Sequence, residues 1–90
     1  MEIKPNEIIQ AYFFDKTIFS EKDIIAFLIK NNLPTIQNIS DGKYYYKIKL
    51  YSEKKLKLEG YNIINKYYEQ GIKINLATKP PLLNNYVKFC

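Results

Sequence analysis

The stretch Ser52-Glu53-Lys54-Lys55-Leu56-Lys57-Leu58-Glu59-Gly60-Tyr61-Asn62-Ile63-Ile64-Asn65-Lys66-Tyr67-Tyr68-Glu69-Gln70-Gly71 decides the fold of this 90-residue chain. Leu56, Gly60, Ile63, Ile64 and Tyr67 fit the 3.6-residue period of a helix, whereas Lys55-Leu56-Lys57-Leu58 continues an alternation of two. Ser52 suits an N-cap, Glu53 a first turn and Gly71 a helix end, so the pattern predicts a helix. Gly60 in its middle costs about 1 kcal/mol relative to alanine. The competing pattern pairs residues 44–51 with 55–61 as a hairpin.

Upstream of this stretch, Ile8-Ile9-Gln10-Ala11-Tyr12-Phe13-Phe14 is rich in β-branched and aromatic residues and predicts a first strand. Ser20-Glu21-Lys22-Asp23 offers a hydroxyl N-cap with an acid three residues on. Ile24, Phe27 and Leu28 follow at helical spacing, and Leu33-Pro34 stops the helix after Asn31-Asn32. A short strand over Thr35–Ile39 leads to Asp41-Gly42, a hairpin turn signal. Tyr44, Tyr46, Ile48 and Leu50 then alternate with Tyr45, Lys47, Lys49 and Tyr51, giving a strand with an apolar face and a basic, aromatic one. Tyr44 and Tyr46 are expected in the core, opposite Tyr45, and Tyr67 and Tyr68 as core and helix-edge aromatics. Downstream, Ile72-Lys73-Ile74-Asn75-Leu76 alternates as the last strand.

These elements predict an α+β fold: a ferredoxin-like βαββαβ domain over residues 1–79, with a four-stranded antiparallel sheet, two helices on one face and a tail over 80–90. The other sheet face is left open. It is expected to carry Tyr12, Phe14, Tyr45, Lys47, Lys49, Lys73 and Asn75, with Lys43 on the same strand as Tyr45.

Charge singles out the same region. Lysine and arginine total 14 against nine acids, for a net +5, and every one of the 14 is lysine. Residues 43–57 hold six lysines and one glutamate, so the whole excess falls there, interleaved with four tyrosines. Clustered lysine neutralises phosphates by counterion release, and a tyrosine ring stacks on an unpaired base for about 1–3 kcal/mol. A solvated strand in a lysine-rich protein is the plainer account, because aromatics suit strands and the abundance of Ile, Lys, Asn and Tyr matches low-GC coding.

Composition excludes much chemistry. The absence of histidine removes Ser-His-Asp and Cys-His relays and histidine-ligated zinc. Cys90, the single cysteine, has no intramolecular partner and is expected to be an inert thiol. Asp15, Asp23 and Asp41 fall in turns and caps, and no glycine-rich phosphate loop is present. No catalytic residue, metal or cofactor is expected. With no apolar run near the ~18 residues of a membrane span, and no secretory signal at the amino terminus, the chain is expected to be intracellular, in the cytoplasm or a nucleus.

Residues 8–78 resemble an RNA recognition motif. Ser20-Glu21-Lys22-Asp23-Ile24-Ile25-Ala26-Phe27-Leu28 is similar to that family's first helix, and Gly42-Lys43-Tyr44-Tyr45-Tyr46-Lys47-Ile48-Lys49-Leu50 to its third-strand octapeptide. Ser52-Glu53-Lys54-Lys55 and Gly71-Ile72-Lys73-Ile74-Asn75-Leu76-Ala77 fit in order and spacing. The resemblance implies binding of single-stranded RNA on the sheet, with Tyr12 and Tyr45 stacking on bases and Phe14 as an apolar neighbour. The second third-strand stacking position falls on Lys47, Gly42 precedes the basic residue instead of following it, and Asp15-Lys16 replaces the usual Asn-Leu. Two other functions fit the pattern. One is a small phage or mobile-element module whose aromatic, basic face binds or inhibits a host protein. The other is a winged helix binding duplex DNA, with residues 7–15 helical, residues 44–61 as the wing and Pro34–Ser40 as the recognition segment.

Overall fold

The computed structural model describes residues 3–34 and 39–80 as an α+β fold with one five-stranded antiparallel sheet and two helices. The elements are β1 (Glu7–Asp15), α1 (Glu21–Lys30), β2 (Ile39–Asp41), β3 (Tyr45–Lys49), α2 (Glu53–Leu58), β4 (Asn62–Glu69) and β5 (Ile72–Thr78), with sheet order β2-β3-β1-β5-β4. Of the expected strand over Thr35–Ile39, residues 35–38 lie outside the described residues, as do residues 81–90 with most of the tail and Cys90. No helix among the described residues is long and apolar enough to cross a membrane.

The sheet has five strands instead of four because the helix over the deciding stretch stops early. Ser52 accepts from the Lys55 N–H and starts α2 as expected. Gly60, at φ 95°, then closes it. The Tyr61 N–H reaches the Leu56 carbonyl at 3.0 Å and the Gly60 N–H reaches Lys57 at 3.1 Å, the paired bonds of a glycine-terminated helix end. Gly60 is thus a stop, and residues 62–69 form a strand. Gly71, at φ 79°, belongs to the Gln70-Gly71 turn of the β4–β5 hairpin and ends no helix. Neither half of the winged-helix alternative is present, since residues 7–15 are strand and β3 pairs with β1 and β2 instead of residues 55–61.

Helix α1 forms as expected. The Asp23 N–H donates to Ser20 Oγ at 3.2 Å and the Ser20 N–H donates to Asp23 Oδ2 at 2.8 Å, a reciprocal capping box. The Ser20 N–H and hydroxyl, both donating to Asp23 Oδ2, hold the Asp23 carboxyl below the usual carboxylate range. Ile24 and Leu28, one turn apart, are buried against Tyr12, Phe14, Ile48, Ile72, Ile74 and Leu76, with Phe19, Phe27 and Tyr68 packed at the margin.

The two helices do not share a face. Leu56 of α2 is 5% exposed yet lies outside the core beneath α1. It borders a depression with Ile8 and Tyr51, and Ile8 pairs with Ala77 on the face away from α1. Ala11 and Ala77 on that face are buried too. One half of the face away from α1 is therefore covered, and the half toward Asp15 and Gly71 is open.

Tyr12 and Phe14 are not on the open half. They are 5% and 0% exposed, and their rings meet Phe27 edge-on at 5.3 and 5.2 Å. Tyr12 lies opposite Ile48 and Ile74, and Phe14 opposite Tyr46 and Ile72; residues paired across antiparallel strands share a face, here the core face. Phe13 turns the other way. Phe14→Ala should lower stability by about 3–5 kcal/mol through the cavity it leaves, and Phe13→Ala by much less. Urea unfolding of the two variants checks the assignment.

Candidate nucleic-acid interface

The open half is built from alternate residues of four strands. Phe13 lies opposite Lys47 on β3 and Lys73 on β5; Asp15 lies opposite Tyr45, and Tyr67 on β4 opposite Lys73. The Phe13 and Tyr45 rings stand nearly perpendicular with centroids 6.5 Å apart. Lys47 Nζ lies over Phe13 at 5.3 Å and Lys73 Nζ over Tyr45 at 5.6 Å. Tyr67, 67% exposed, extends the aromatic surface toward the β4 edge.

Three shallow depressions meet at Tyr45. One of about 330 Å³ runs from Phe13 and Lys47 to Ser40 and Gly42, one of about 410 Å³ lies among Asp15, Thr17 and Lys43, and one of about 130 Å³ is bounded by Tyr67, Gly71 and Lys73. Asp15 is the carboxylate of this surface. Hydrogen bonds from the Thr17 hydroxyl at 2.7 Å and the Thr17 N–H at 2.8 Å hold it below the usual carboxylate range, with Lys73 adding a smaller pull. Asp41 is held by an ion pair with Lys16 at the β2 edge.

A row of amides separates the open half from the covered one. Gln10 Nε2 donates to the Tyr51 carbonyl at 2.8 Å, Asn75 Nδ2 to Gln10 Oε1 at 3.1 Å, and Asn65 Nδ2 to Asn75 Oδ1 at 3.1 Å. The Tyr51 carbonyl can only accept, so it orients Gln10, which orients Asn75, which orients Asn65. Among the described residues the Asn65 Oδ1 has no donor.

Of the sequence-expected residues, the structure brings Tyr45, Lys47 and Lys73 together, with Lys43 at the rim over Tyr44 at 5.2 Å. Asn75 is on the same face but committed to the amide row, and Lys49, opposite Ala11, lies toward the covered half. Tyr12 and Phe14 are excluded by burial. Tyr46 packs against the core as expected, but Tyr44 precedes β3 and is 66% exposed. Phe13, Tyr67 and Asn65 enter the surface unforeseen. Comparison with protein-family models, curated proteins and solved structures returns no significant match.

Burial, and then the neighbouring Tyr68 phenol and Glu69 carboxylate, push Tyr12 from 10.0 up to about 12. The folded state thus holds that proton more tightly than the unfolded chain. Its stabilising contribution is complete below pH 10 and is lost as pH rises from about 10 through about 12. Unfolding midpoints across that window should fall more steeply for the wild type than for Tyr12→Phe, which lacks the titrating group.

Proposed function

We propose that the open half-face binds single-stranded nucleic acid, RNA foremost, without chemistry. The observation that carries it is the crossed Phe13–Tyr45 pair with an ammonium over each ring. An exposed cation–π contact is worth about 0.5–1 kcal/mol, whereas a base stacked on an aromatic side chain is worth about 1–3 kcal/mol. A base therefore displaces the ammonium from the ring, and the released lysine moves to the adjoining phosphate. Lys43, Lys47 and Lys73 capture the backbone, Phe13 and Tyr45 receive bases, and Tyr67 offers a third ring. The chain has no planar guanidinium fork for guanine or phosphate, so sequence preference is weak.

The resemblance to an RNA recognition motif belongs to the same proposal. The order β2-β3-β1-β5-β4 sets the first and third strands side by side, the adjacency that the resemblance implies, and that supports the reading. Phe13 takes the first-strand stacking place that the resemblance gave to Tyr12. This fold plan hosts many functions, so the site's chemistry carries the proposal.

Three neutralised phosphates give a slope of log affinity against log salt near about −2 for a single strand. Fluorescence anisotropy with single-stranded RNA, single-stranded DNA and duplex DNA tests this. Single strands should be preferred, Tyr45→Ala should weaken binding about 5- to 150-fold at fixed salt, and Lys47→Ala should flatten the slope by about 0.7. No single-strand binding at low salt, with the variants folded, sinks the proposal and leaves the face to a protein partner.

A further inference from the structure

The sheet's two edges differ. β2 is three residues long and its Asp41 is tied to Lys16, whereas β4 runs for eight residues at the opposite edge. Among the described residues nothing pairs with the outer side of β4, and Asn62, Ile64, Asn65, Lys66 and Tyr67 are exposed. A strand edge of that length presents a row of backbone N–H and C=O groups to another strand. Among the described residues its guards are its one lysine, Lys66, and the register shift at Tyr67–Glu69.

We propose that the partner for this edge is a second copy of the chain, pairing antiparallel about a twofold axis at Asn65. Two observations select this occupant and register. First, the amide row ends at Asn65 with an oriented Oδ1 acceptor and a second N–H. Placed opposite its own copy, each Asn65 gives that N–H to the other's Oδ1, a reciprocal pair that the twofold axis supplies from identical side chains. Second, this register sets Ile63 opposite Tyr67 of the copy and Lys66 opposite Ile64 of the copy, each twice. The next in-phase register, centred on residue 66, would set lysine against lysine, which is unfavourable.

The result is a ten-stranded sheet with both open half-faces on one side. Across the strands, Phe13 and its copy lie five spacings of about 4.8 Å, or roughly 24 Å, apart. The pairing rests on the edge alone and needs no nucleic acid.

Sedimentation equilibrium of the full chain, free of nucleic acid, tests it together with cysteine variants in a Cys90→Ser background. The wild type should approach dimer mass with rising concentration. Asn65→Cys should give an intermolecular disulfide on mild oxidation, because directly opposed Cβ atoms are about 4.5–5.5 Å apart. Ile64→Cys, offset from its own copy, should not. Asn65→Lys should be monomeric with an unchanged circular dichroism spectrum. A monomer at every concentration overturns the proposal, including one whose β4 amides resist hydrogen exchange because residues 81–90 cover them. A dimer that persists in Asn65→Lys overturns it too.

Discussion

The pairing of β1 with both β3 and β5, interrupted by one extra residue at Gln10, is the constraint on which the rest of the structure depends. Ile9 pairs with Leu76 and packs beneath α1, but the next β1 residue in register with β5 is Ala11, opposite Asn75. Such a bulge places two residues against one and resets the alternation beyond it. Without it, alternation from Ile9 would carry Ala11, Phe13 and Asp15 under α1 and turn Tyr12 and Phe14 outward. Asp15 would then enter an apolar core and the two deepest aromatics would leave it. With the bulge, Tyr12 and Phe14 close the core, Phe13 joins the lysine-bearing face, and Gln10 spends its polar groups on Asn75 and the Tyr51 carbonyl.

What was legible in the sequence is what local chemistry determines. The Ser20–Asp23 capping box with Ile24 and Leu28 one turn apart specifies α1 without reference to anything distant. The alternation after Asp41-Gly42 puts Tyr45, Lys47 and Lys49 on one side of β3, and that after Gly71 puts Lys73 and Asn75 on one side of β5. The phase of β1 is not of this kind. Tyr12-Phe13-Phe14 is apolar at every position, and the polar Gln10 argues that the even-numbered side faces water, which is the wrong side once the bulge is counted. The helix over residues 62–69 failed for a related reason. The doublets Ile63-Ile64 and Tyr67-Tyr68 satisfy periods of 2 and of 3.6 at once, while β-branched and aromatic content, Gly60 and Gln70-Gly71 all favour a helix stop followed by a hairpin.

The basic cluster of residues 43–57 divides when folded. Lys43 and Lys47 reach the aromatic surface, Lys49 lies toward its covered end, and Lys54, Lys55 and Lys57 ride on α2, where Lys57 Nζ is 3.1 Å from Glu53 Oε2. Lys73, outside the cluster in sequence, joins the surface from β5. The local charge around Phe13 and Tyr45 is thus set by strand pairing more than by linear density. An exposed ion pair such as Lys57–Glu53 adds at most about 1 kcal/mol, so the α2 lysines remain available to a long-range field even though they sit at the far end of the sheet.

Covering part of one sheet face while opening the rest makes the two halves chemically different. Leu56 and Ile8 border one depression, and Ala11 and Ala77 are buried on the same face, so a sheet with one long helix has apolar cover on both sides near that end. The amide row then stands where apolar cover meets open surface, and its directionality follows from the Tyr51 carbonyl at one terminus. The stacking and phosphate capture we propose use side chains perpendicular to the sheet, whereas the proposed pairing at β4 uses backbone groups in its plane together with the Ile63, Asn65 and Tyr67 side chains. Tyr67 is the one side chain common to both proposals, so pairing at the edge leaves Phe13, Tyr45 and Lys73 as open as before.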